Sequence, residues 1–207
     1  KLVKDFGVQI NPHKDVVKVK GRVVRAEEKI YLMFNKPKST LTNMGGDPHD
    51  RKTIADYLEH IPYKVFPVGR LDWHSEGLII LTNDGDFANK MMKPENEIPK
   101  TYIVKVEGEP DPAQIKKLTQ GVTIVGGKFR FRSIEKLRRS DTRHSWYKVV
   151  ITQGINKQIQ SMFQKIEHDV LKIQRVGIGM LELGNLDRGD FKLLSAEQIK
   201  KVFMDPE

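Results

Sequence analysis

One carboxylate in this sequence is placed as a reactive group would be. Val68-Gly69-Arg70-Leu71-Asp72-Trp73-His74-Ser75-Glu76-Gly77-Leu78 runs from the end of one apolar stretch into the start of another, which stops at Asn83-Asp84-Gly85. Two buried strands joined by a polar connection read this way. Asp72 falls in the connection, where rigid flanks can hold a side chain still while leaving it accessible. A carboxylate so placed can act as a nucleophile or accept a proton. On spacing alone it can equally cap a turn or pair with Arg70. Glu76 adds a second carboxylate, but nothing in the sequence sets a geometry between the two, so a small-molecule hydrolase built on Asp72 and Glu76 is the weakest reading.

Three further stretches carry candidate side chains. In Lys100–Val106 the period of two puts Tyr102, Val104 and Val106 on one strand face, where a lone tyrosine is ordinarily core. In Gly154–Ile166 the residues Ile159, Met162, Phe163 and Ile166 fall at helical spacing, leaving Lys157, Gln160 and Gln164 on a different, polar face. Lys128-Phe129-Arg130-Phe131-Arg132 places two aromatics on one side and three cations on the other. From Lys128 to Arg143 there are seven Lys/Arg against two Asp/Glu, an excess of +5. Such a strip suits a phosphate backbone, although a charge run can also be a solvated face.

Composition narrows the classes. The 207 residues are 38% hydrophobic and 30% charged, as expected of a globular chain with a sizeable core. The formal net charge of +9 favours polyanionic partners, nucleic acid above all. There is no cysteine, which excludes disulfides, Cys-ligated metals and thiol nucleophiles. The six histidines show no paired spacing, so no metal site is expected. No apolar run approaches the length of a membrane span and Lys1-Leu2-Val3-Lys4 does not open a signal peptide, so the expectation is a cytoplasmic protein, monomeric by default.

The elements that must position these groups alternate irregularly. Strand-like alternation occupies Val16–Val24 after a turn at Asn11-Pro12-His13-Lys14, and Lys29–Pro37 reads as a strand. Ser39–Arg51 is loop. Thr53 and Asp56 form a capping-box pattern ahead of Ile54, Tyr57, Leu58 and Ile61, predicting a helix. Asn83-Asp84-Gly85 turns the chain into a helix through Met92, with Phe87 and Met91 inward. Asp111-Pro112 caps another that Gly121 closes, with Ile115 and Leu118 buried. Val122–Val125 and Lys128–Ile134 predict a hairpin, and Trp146–Thr152, Val170–Val176 and Asp187–Leu193 more sheet. Ser195 with Gln198 caps a last helix carrying Ile199 and Phe203. Strands dominate and no βαβ rhythm recurs, which predicts an α+β fold.

Gly69-Arg70-Leu71-Asp72, with Ser75-Glu76-Gly77-Leu78 and Leu81-Thr82-Asn83-Asp84-Gly85, closely resembles the central motif of the RsuA/RluB/RluE/RluF-type pseudouridine synthases, which isomerise uridine in ribosomal RNA. The strand ending Asn35-Lys36-Pro37 resembles the opening of their catalytic domain, and Lys100-Thr101-Tyr102 their Lys-x-Tyr motif. The resemblance spans roughly Asp15 to Phe203. It implies a long mixed, mainly antiparallel sheet with flanking helices and a central active-site cleft. It divides the chain into a remnant of an RNA-binding domain plus linker (1–28) and a catalytic domain (29–207). It makes Asp72 the catalytic carboxylate, stacks Tyr102 on the target base, and puts Lys36, Arg70, Asn156 and Lys157 in contact with RNA beside the strip of Lys128, Arg130 and Arg132. Ribosomal RNA is then the partner, with the large subunit slightly preferred, and the resemblance implies that no cofactor is needed.

One motif departs from the pattern. Gly154-Ile155-Asn156-Lys157-Gln158-Ile159-Gln160-Ser161-Met162-Phe163 resembles the family's Gly-x-Asn-Arg-Gln-(Val/Ile)-Arg-Arg-Met-Phe, whose first Arg after Gln-(Val/Ile) pairs with the catalytic Asp. That position is Gln160 here, and the next Arg is Ser161. A guanidinium favours an ionised carboxylate and Gln offers only a neutral donor. The departure implies a slower enzyme, one with a different cation, or a non-catalytic RNA-binding or ribosome-assembly factor with a synthase fold.

Overall fold

The computed structural model describes residues 3, 7–11, 14–24, 27–138 and 143–206. Pro12 and His13 of the expected turn, and residues 139–142 of the cationic strip, lie outside the described residues.

The strands in chain order are β1 (Val17–Val19), β2 (Arg22–Val24), β3 (Tyr31–Lys36), β4 (Phe66–Val68), β5 (Glu76–Thr82), β6 (Lys100–Glu107), β7 (Val122–Ile124), β8 (Gly127–Phe129), β9 (Ser133–Leu137), β10 (His144–Ile151), β11 (Val170–Ile178), β12 (Leu181–Glu182) and β13 (Phe191–Leu193). The helices are α1 (Gly85–Met92), α2 (Pro112–Gln120), α3 (Gln158–Gln164) and α4 (Ala196–Lys201). Nine strands form one sheet with the path β13-β3-β5-β11-β6-β10-β9, to which β4 and β12 attach. The β5–β11 pair is parallel and the other strand pairs described are antiparallel, so the sheet is mixed and mainly antiparallel, as expected. The β1–β2 hairpin stands outside this sheet and is largely exposed.

Local chemistry accounts for the helix starts. Asp84 caps α1, its carboxylate accepting from the Asp86 and Phe87 amides. Asp111 with Gln114 and Ser195 with Gln198 form reciprocal capping boxes on α2 and α4, each worth about 1 kcal/mol. The predicted helix at 53–61 is instead a single 3-10 turn, Ala55–Tyr57. Asp56 does accept from the Thr53 amide at 2.7 Å, but the Ile54 amide bonds to the Leu41 carbonyl and Thr53 bridges Leu41, which holds the entry extended. The expected strand through Ile134 breaks at Arg130–Arg132. There the Phe131 amide bonds to Leu118 and the Arg132 amide to Val150, carrying the chain from the hairpin into the main sheet as β9.

The register aligns a row of residues across the sheet. Lys36 pairs with Gly77, Gly77 with Arg175, Arg175 with Tyr102 and Tyr102 with Val149, so these residues form a row across β3, β5, β11, β6 and β10 on one sheet face. On that face one apolar cluster (Leu32, Phe34, Ile54, Ile79, Leu81) lies under the 3-10 turn. Another (Leu71, Tyr102, Val104, Tyr147, Ile159, Met162, Phe163) lies under α2 and α3. The opposite face packs Met33, Leu78, Ile80 and Phe87 beneath α1 and α4. Each fully buried aliphatic side chain contributes roughly 1.5–3 kcal/mol, which fixes the register on which the row depends.

Candidate active site

The connection between β4 and β5 carries Asp72. Gly69 begins it with φ +77°, a left-handed conformation open to glycine. The Ser75 amide then closes a turn onto the Asp72 carbonyl at 3.0 Å. Leu71 is buried in the same cluster as Tyr102 and Ile159, which anchors the loop between β6 and α3. Asp72 itself is only partly buried, and among the described residues no group hydrogen-bonds its carboxylate. A partly buried carboxylate with unused acceptors is available to a ligand.

Lys36 departs from its expected RNA-contacting role. Its side chain is 0% exposed, and its ammonium donates to the Thr40 carbonyl at 2.6 Å and the Pro37 carbonyl at 3.0 Å. Burial lowers its pKa to about 8, against the opposing pull of Asp72 and then Glu76. Lys36 therefore faces inward as a cation in the field of Asp72. Partners that are backbone carbonyls, present in every residue, leave no signal in a sequence.

Arg175 is a second inward cation that sequence reasoning missed. It is 3% exposed, its Nε donates to the Leu78 carbonyl at 2.7 Å, and among the described residues its Nη2 has no hydrogen-bond partner. Gly77 lies between Lys36 and Arg175 in the row and projects no side chain between them. Glu76, on the other side of the strand, faces Lys172 Nζ at 2.7 Å and Arg188 Nε at 3.1 Å. That buried carboxylate is committed to ion pairing rather than to joint work with Asp72.

Tyr102 is 7% exposed, packed on the face of β6 that α2 and α3 cover. Gln160 lies on α3 and is half-buried, next in sequence to Ile159, which packs in the same cluster as Leu71 and Tyr102. Asn156 and Lys157 are exposed at the start of α3, where Lys157 has φ +52°. The β7–β8 turn adjoins them, since a Cβ on Gly126 would lie 3.8 Å from Ile155 Cδ1. Lys128, Arg130 and Arg132 are all exposed, with Arg132 paired to Asp205 at 2.7 Å, while Phe129 and Phe131 pack into the core cluster. Arg70 is also exposed. No group of three or more His, Asp and Glu able to hold a metal occurs among the described residues.

The sheet and the loop carboxylate define a class. The chain superposes with a TM-score of 0.73 on a crystal structure described as a pseudouridylate synthase, at 25% identity over 97% of this chain and 85% of that one. The chain belongs to the RNA pseudouridylate synthase family, whose model matches residues 30–165. Within it, the chain is of the RsuA/RluB/RluE type. It is 35% identical to ribosomal large subunit pseudouridine synthase B of Bacillus subtilis over 98% of this chain and 82% of the relative. It is 36% identical to ribosomal large subunit pseudouridine synthase E of Vibrio vulnificus over 82% and 76%. Among the described residues no helix is long and apolar enough to cross a membrane.

Proposed function

We propose that this chain converts a specific uridine of large-subunit ribosomal RNA to pseudouridine, with Asp72 as the carboxylate that starts the exchange. The observation that carries the assignment of Asp72 is the shared cluster of Leu71, Tyr102 and Ile159, which sets the Asp72 loop beside the tyrosine strand and α3. The uridine leaves its stack to reach the cleft, a cost common to enzymes that act on bases. The N1–C1′ bond breaks, uracil turns in the pocket, and C5 bonds to C1′. The proton on C5 is released to solvent and N1 gains one.

Tyr102 gives the base a flat surface, and Gln160 a neutral donor beside the carboxylate. The charge absent at Gln160 is supplied from the sheet by Lys36, whose ammonium lies in the field of Asp72. Arg70, Asn156, Lys157, Lys128, Arg130 and Arg132 are exposed groups suited to phosphate and ribose, a screening-sensitive attraction to RNA. Residues 29–207 act as the catalytic unit. The β1–β2 hairpin, with exposed Lys18, Lys20 and Arg22, serves as the tail of an RNA-binding unit.

Mapping pseudouridines in ribosomal RNA from cells with and without the gene for this chain tests the reading. Loss of modification at one uridine of the large-subunit RNA is expected. An unchanged map would contradict it.

A further inference from the structure

We infer that Thr42 is a positioning residue that fixes the backbone on one side of Asp72, the Ser39 amide holding the other, an inference resting on Asp72 being the catalytic group. The turn that follows β3 grips the two residues flanking Asp72 and leaves Asp72 between them. On one side, the Thr42 hydroxyl donates to the Leu71 carbonyl at 2.8 Å and accepts from the Leu71 amide at 3.2 Å. On the other, the Ser39 amide donates to the Trp73 carbonyl at 2.8 Å.

The turn that makes these bonds is itself braced. Ser39 takes φ +57°, and the Lys36 ammonium bonds the Pro37 and Thr40 carbonyls from beneath. Behind it, the Leu41 amide bonds to the Lys52 carbonyl and the Ile54 amide to the Leu41 carbonyl. The brace thus runs from the buried end of β3 to the backbone on either side of Asp72. Among the described residues it leaves the Asp72 carboxylate without a hydrogen-bond partner, so the group is held without spending its acceptors.

The side chain at 42 must donate and accept at once, which a hydroxyl does and a methyl cannot. Valine has the shape of threonine without that capacity, serine keeps the capacity, and cysteine offers only a weak donor and acceptor. Because a displaced reacting group can cost about a hundredfold in rate, the effect belongs in turnover rather than in RNA affinity.

The test uses the full chain with Thr42→Val, Thr42→Ser, Thr42→Cys and Asp72→Asn. It measures tritium release from a 5-tritiated ribosomal RNA fragment and, separately, the Kd for that RNA. Thr42→Val is expected to lower kcat by roughly 10- to 100-fold with Kd nearly unchanged. Thr42→Ser should stay close to the parent, with Thr42→Cys between, while Asp72→Asn releases no tritium. Parental kcat in Thr42→Val, or a loss confined to Kd, overturns the inference. If Thr42→Val does not fold, equal kcat in the Ser and Cys variants overturns it instead. Tritium release by Asp72→Asn would overturn the reading of Asp72 itself.

Discussion

Gly77 and Arg175 face each other across the parallel pair of the sheet so closely that a Cβ on Gly77 would fall 2.2 Å from the Arg175 carbonyl oxygen. Gly77 also takes φ +109°, a conformation that side chains avoid. This contact joins the strand leaving the Asp72 loop to β11, which in turn pairs with the Tyr102 strand. Gly77→Ala is therefore expected to force β5 and β11 apart, at a cost of about 3 kcal/mol from overpacking and backbone strain. Calorimetry should show Tm lower by roughly 6–12 °C for a chain of this size. An unchanged Tm would mean that the close approach carries no weight.

Asp84 ties the opposite end of β5 to its surroundings. Burial opposes its ionisation, but the Tyr31 hydroxyl at 2.6 Å, the Lys29 ammonium at 2.9 Å and the Phe87 amide hold its pKa at about 2. The folded pKa lies below the roughly 3.9 of an unfolded aspartate, so this stabilisation is present above about pH 4 and is lost as pH falls toward 2. Asp84→Ala removes a helix cap and charged hydrogen bonds, and is expected to destabilise by about 2–4 kcal/mol. Denaturant unfolding at pH 7 and at pH 2.5 checks this: the gap between parent and variant should narrow at the lower pH.

Lys36 gives a pH dependence of opposite sense. Its folded pKa of about 8 lies below the roughly 10.4 of a free lysine, so its buried charge costs stability below pH 8 and that cost fades as pH rises. Its charge beside Asp72, however, is present only below pH 8. Turnover is thus expected to fall along an alkaline limb with an apparent pKa near 8, even as the fold gains stability. Lys100 also has its pKa lowered to about 8, by burial and then by Arg175, so Lys100→Met is the control. A pH–kcat profile should lose its alkaline limb in Lys36→Met, together with some rate, and keep it in Lys100→Met.

Gln160→Arg adds a cation that does not titrate. A charged hydrogen bond exceeds a neutral one by roughly 1 kcal/mol or more, and each 1.36 kcal/mol is tenfold in rate. The variant should raise kcat by about tenfold and carry the alkaline limb above pH 8. A slower enzyme with an unmoved limb would show that residue 160 does not address the carboxylate.

The legible parts of this fold were those written in local chemistry. The alternation in β6, the apolar run of β5, the caps at Asp111 and Ser195 and the stripe on α3 each sit within a few residues of the element they specify. The failures involve partners remote in the chain. Thr53 and Asp56 carry a helix-start pattern, yet Leu41 captures the backbone there. Lys36 looks like a surface cation at a strand end, because the register against Gly77 that turns it inward is set by apolar pairs such as Phe34 with Ile79. Arg175 bonds a carbonyl 97 residues away, and Thr42 a backbone 29 residues away. Such bonds depend on topology, and neither residue belongs to a motif that would have singled it out.

The most direct test of the central claim is tritium release from 5-tritiated uridine in a ribosomal RNA fragment by the Asp72→Asn variant. Asn keeps the shape of the side chain and removes the negative charge. Release indistinguishable from background, with RNA affinity retained, is the predicted result. Release at the parental rate would contradict the assignment of this carboxylate and the mechanism built on it.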